Sequence, residues 1–69
     1  MEITKLDLTV QLDVHRKMDF HILKEIIDEN SLKIVMSCNY DHNLISDVEY
    51  AQAKRMIDEE IINPIFRNL

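Results

Sequence analysis

The sequence predicts an α/β (or α+β) domain of order β-α-β-α, and three observations carry that expectation. Apolar and polar residues alternate over 3–14 and again over 32–38, the period of a strand. Between them, apolar residues recur at helical spacing over 20–27. Further on, Ser46-Asp47-Val48-Glu49 has the form of a helix start. With 69 residues the chain allows one domain, 1–69, and one small core.

In the first segment Leu6, Leu8, Val10 and Leu12 point one way, and Lys5, Asp7, Thr9, Gln11 and Asp13 the other. His15-Arg16-Lys17 is a polar break, after which Asp19 is placed to cap a helix. Phe20, Leu23, Ile26 and Ile27 then line one helical face, with His21, Lys24, Glu25 and Asp28 opposite. Asn30-Ser31 ends that helix, asparagine standing in for the absent glycine. Leu32, Ile34, Met36 and Cys38 form the apolar side of a second strand, 32–38. Asn39 to Asn43 is a loop by composition.

The second helix begins at the capping box of Ser46 and Glu49, with Ile45 and Tyr50 as its hydrophobic staple. It runs from 47 to about 62 with Tyr50, Ala53, Ile57 and Ile61 as its stripe. Val48, Ala51 and Ile62 lie roughly 120° away at 100° per residue. Pro64 stops or kinks it by its clash with the carbonyl of Glu60. Ile65, Phe66 and Leu69 follow as an apolar tail. Glycine is absent, so the Asn-Gly and Asp-Gly hairpin signals are absent too. The first helix therefore reads as the crossover of a right-handed parallel unit. Two strands in the monomer leave open edges, and a second copy would complete the sheet as a homodimer.

Composition narrows the function. Apolar residues are 46% and charged residues 30%, which is globular, while aromatics are only 6%, so the core is aliphatic. The lone Cys38 excludes an internal disulfide and fits a reducing, cytoplasmic setting. The N-terminal residues lack the pattern of a secretion signal, and no apolar run reaches the length of a membrane span. Net charge is −5, and the acid falls on the two segments assigned to helices. That disfavours nucleic acid and anionic membrane and suits a basic protein surface. Without glycine there is no P-loop, dinucleotide turn or nucleophile elbow.

No cofactor or metal is expected. His15, His21, Cys38 and His42 are the candidate ligands, but one cysteine with scattered histidines lacks the paired spacing of a structural zinc site. A nucleophilic Cys38 with His15 or His42 would need an electropositive setting, and the surroundings are acidic. A DNA-binding ribbon built on the first strand would present Asp7 and Asp13 to phosphates. Asp58, Glu59 and Glu60 sit near a helix C-terminus, against the macrodipole, and follow Lys54 and Arg55 in the less favourable order.

The expectation is a small acidic protein-binding module, not an enzyme. It would be an inhibitor, adaptor or regulatory subunit of the kind that viruses and mobile elements carry. Its contact residues would be Asp58, Glu59, Glu60, Ile62, Ile65 and Phe66. The alternative is a small enzyme or ligand-binding dimer with an intersubunit site.

Overall fold

The computed structural model describes residues 2–67, so the expected tail residue Leu69 lies outside the described residues. Three strands, β1 (Glu2–Asp13), β2 (Arg16–Asp28) and β3 (Ser31–Tyr40), form an antiparallel meander of order β1-β2-β3. A helical segment follows: α1 (Asp47–Ile57), a π-helical turn (Asp58–Ile62) and α2 (Asn63–Arg67).

This corrects the β-α-β-α order. The described residues form three strands in one antiparallel sheet, not two strands joined by a helical crossover. The segment expected to be the first helix is β2, the central strand. Its residues carry two periods at once. Phe20, Leu23, Ile26 and Ile27 fit a helix, while Met18, Phe20, Ile22 and Ile26 fit one side of a strand. The β-branched Ile22, Ile26 and Ile27 favour the strand, and a strand on each side supplies the ladder that an isolated segment lacks.

Two tight hairpins connect the strands without glycine. Val14-His15 and Glu29-Asn30 are their two-residue loops. None of the described residues has positive φ, so the primed turns usual in hairpins are not used. Aspartate builds the turns instead. The Asp13 carboxylate accepts the amide of His15 at 3.0 Å, and that of Asp28 accepts the amide of Asn30 at 2.8 Å. Beside each turn one residue bulges out of the ladder, Leu12 in β1 and Ile27 in β2. A bulge adds right-handed twist locally, which unprimed turns do not provide. The same device recurs at Asp41, which accepts the amide of Asn43 at 2.8 Å and opens the loop into α1.

One face of the sheet is covered. Met18, Phe20 and Ile22 of β2 are buried there against Ile45, Ala53 and Ile57. Leu8 and Val10 of β1, and Ile34, Met36 and Cys38 of β3, flank them half-buried. Phe20 stacks on Tyr50 at 6.2 Å between ring centroids, and Tyr50 stacks on Tyr40 at 4.9 Å. The helix thus lies centred on β2. The long strands set an elongated molecule of 42 × 18 × 17 Å.

The start of α1 is as expected. Glu49 donates its amide to Ser46 Oγ at 3.2 Å and accepts the Ser46 amide on Oε1 at 3.1 Å. Of the two outcomes expected at Pro64, a stop or a kink, the stop does not occur, for the helical path continues to Arg67. Pro64 has no amide to return to Glu60, and the preceding turn widens: the amide of Asn63 bonds the carbonyl of Asp58, five residues back. A wider turn advances each residue by less than 100°. Ile62 therefore swings in beside Ile61, and both pack on the core. None of the described helices is long and apolar enough to cross a membrane.

Ser46→Ala removes one cap and should cost about 1 kcal/mol, lowering the melting temperature by roughly 4–8 °C. Phe20→Ala should cost about 3–5 kcal/mol, most of the stability of so small a domain. Urea melts of the two variants, compared with the unsubstituted chain, measure both.

Candidate functional site

The helix is centred on β2 and leaves the flank of β1 bare. Leu6 and Leu12 belong to the covered side of β1 by sequence alternation, yet they are 44% and 37% exposed. Met56 of α1, 43% exposed, stands beside Leu12. Two solvent-open hollows follow the seam between β1 and the helix. One, of about 240 Å³, lies between Val10 and Leu12 on the strand and Gln52, Ala53 and Met56 on the helix. The other, of about 190 Å³, is floored by Leu6 and Ile22 and edged by Ile65. β1 is an edge strand, so among the described residues its outer backbone amides and carbonyls have no partner strand.

The predicted contact residues differ in what they touch. Asp58 is paired with Lys54 at 3.3 Å and Glu59 with Arg55 at 3.2 Å, so two of the three acids are offset within the helix. Glu60 is exposed and makes no ion pair among the described residues. Ile62 turns inward to the core, Ile65 edges the seam, and Phe66 is 45% exposed. What sequence reasoning missed is the seam itself. Its signal was the surplus of leucines on β1, which alternate over a longer stretch than one short helix can cover.

The other face of the sheet is uncovered. Across it His21 lies between Asp7 of β1 and Ser37 of β3, its register partners. His21 Nδ1 is 2.7 Å from Asp7 Oδ1, and Nε2 is 3.5 Å from Asn39 Nδ2. An amide donated by Asn39 to Nε2 requires the Nδ1–H tautomer, which then donates to Asp7. Leu23 and Val35 flank this row over an open depression of about 420 Å³. The remaining candidate ligands are dispersed. Cys38 packs on the covered face, His15 sits in the first hairpin turn, and His42 leans on Tyr40 at 4.3 Å. Burial pushes the Cys38 thiol up, with the Asp19 charge adding to it, so the thiolate that a nucleophile or ligand requires is disfavoured.

One polar network fastens the helix to the sheet. The Arg16 guanidinium reaches Asp13 at 2.6 Å, Glu49 at 2.8 Å and the carbonyl of Leu44 at 3.5 Å. It joins the first hairpin turn, the loop and the capping box. Its hydrogen bond, with that of the His15 amide, holds the Asp13 carboxyl below its ordinary value of 3.8. Glu49 is held below 4.5, first by the Ser46 amide and then by the Ser46 hydroxyl and Arg16. Tyr40 is raised by burial and by Asp47, to which its hydroxyl donates at 3.3 Å.

No protein-family model matches this chain, and neither a curated protein nor a solved structure matches it. The geometry alone carries the functional reading.

The network also sets the acid response. Folding keeps Asp13 and Glu49 ionised to lower pH than the unfolded chain does. Their contribution is therefore complete above about pH 4.5 and is lost as pH falls through the lower folded values. Urea midpoints should be flat above that pH and fall below it. Arg16→Gln should lower the plateau and flatten the acid limb.

Proposed function

We propose that this protein works by binding another protein, as an inhibitor, adaptor or regulatory subunit in the cytoplasm, and that it docks along the β1 edge and the apolar seam beside it. One observation carries the reading: Leu6, Leu12 and Met56 stand exposed along an unpaired strand edge. An added extended segment would bond the free backbone groups of β1 and lay alternate side chains into the two hollows. Backbone pairing supplies affinity in that mode and the hollows supply selectivity. The net charge of −5 favours a partner with basic residues around the docked segment.

A second reading, an enzyme or ligand-binding dimer with an intersubunit site, draws on the Asp7–His21 contact at 2.7 Å. It rests on fewer features, because the row lies in an open depression on the sheet face.

Tethered protein should capture a dominant partner from cell lysate. Leu6→Lys with Met56→Lys should abolish capture, while Asp58→Lys with Glu59→Lys and His21→Ala should leave it within about twofold, as for exposed substitutions outside an interface. Loss of capture with the helix-acid variant alone would move the docking surface to the acidic face of the helix. Loss with His21→Ala alone would favour the second reading.

A further inference from the structure

We propose that, with no partner bound, the β1 edge is occupied by β1 of a second copy, paired antiparallel about Leu6, so that two chains share one six-stranded sheet and a partner must displace the copy to dock. This rests on the reading of that edge as the docking surface.

β1 is preferred over the opposite edge, β3, by what each leaves uncovered. Ile34, Met36, Cys38 and Tyr40 of β3 are all half-buried beneath the helix, whereas Leu6 and Leu12 of β1 are exposed. An antiparallel pair of identical strands is symmetric about a two-fold axis normal to the sheet, which places both helices on the same face. Matching apolar sides requires residues of equal parity to face each other, so the axis passes through a residue.

Charge then selects the residue. An axis at Lys5 sets Lys5 against Lys5, and one at Asp7 sets Asp7 against Asp7, and like charges directly opposite are unfavourable. An axis at Leu8 pairs Lys5 with Gln11 and gains no ion pair. An axis at Thr9 pairs Lys5 with Asp13, which the permanently charged Arg16 already holds at 2.6 Å, whereas Asp7 meets only the His21 ring at 2.7 Å, and it uses the bulged Leu12. An axis at Leu6 sets Lys5 opposite the second copy's Asp7 twice. It also brings Leu6 onto Leu6, and Thr4 beside Leu8. Lys5 and Asp7 are exposed, and Lys5 makes no ion pair among the described residues.

Two consequences follow from the placement. The hollow floored by Leu6 and edged by Ile65 meets its symmetry copy across the axis, covering the apolar surface that the monomer leaves bare. On the other face, Ser37, His21, Asp7 and the second copy's Lys5 form one polar row across the subunit boundary.

The test is sedimentation together with cross-linking in a Cys38→Ala background. Directly opposed residues lie about 4.5–5.5 Å apart between Cα atoms, within disulfide reach. Leu6→Cys should therefore oxidise to a covalent dimer. Leu8→Cys should not, because the two copies of position 8 lie four residues out of register, about 13 Å along the strand. Lys5→Asp should weaken the dimer about tenfold, and adding Asp7→Lys should restore it. A cross-link at position 8 in place of 6 overturns the register and the proposal. A chain that stays monomeric at millimolar concentration, while Leu6→Lys with Met56→Lys still abolishes partner capture, overturns the second copy and leaves the docking edge standing. A dimer that cross-links at neither position and is unaffected by Lys5→Asp moves the interface off β1 and overturns both readings.

Discussion

The burial of Met18, Phe20 and Ile22 beneath a single helix is the constraint on which the rest of the structure depends. Three strands of ten to thirteen residues present far more apolar surface than one helical segment can cover. The helix lies over the central strand, where each buried side chain has neighbours on both sides. The cost of that choice appears at the margin: β1 keeps its alternation, yet Leu6 and Leu12 remain in water. The widened turn before Pro64, set by the missing proline amide, eases the same shortage. By rotating Ile62 in beside Ile61, it draws one more large side chain into a small core.

Arg16 makes that covering arrangement specific. It lies at the start of β2, one residue beyond the first hairpin turn, and contacts that turn, the loop before α1 and the capping box together. Helix packing alone would tolerate sliding along the sheet. A guanidinium with a fixed fork of donors, shared between Asp13 and Glu49, does not. The stacked rings of Phe20, Tyr50 and Tyr40 fix the same end of the molecule from the apolar side.

Much of the fold was legible where one signal stood alone. Leu6, Leu8, Val10 and Leu12 announced β1, Leu32 to Cys38 announced β3, and Ser46 with Glu49 placed the start of α1. Residues 16–28 were misread because their apolar positions satisfy two periods, and the choice between them is made by neighbouring strands that no local window contains. The hairpins were missed because the turn signal sought was glycine. Asp13, Asp28 and Asp41, each bonding the amide two residues on, were the signal present. The acidic trio looked uncompensated in sequence, but Lys54 and Arg55 reach two of its members. The surplus of leucines on β1 hinted at an uncovered strip, but its place depends on where the helix comes to rest.

The central claim is that the outer edge of β1 is a docking surface. Amide hydrogen exchange, resolved by residue and followed as protein concentration rises or partner is added, tests it most directly. Protection that grows at the outward amides of β1, while β3 amides stay constant, is the result this account predicts. Outward β1 amides that exchange rapidly at every concentration and with partner bound would contradict it.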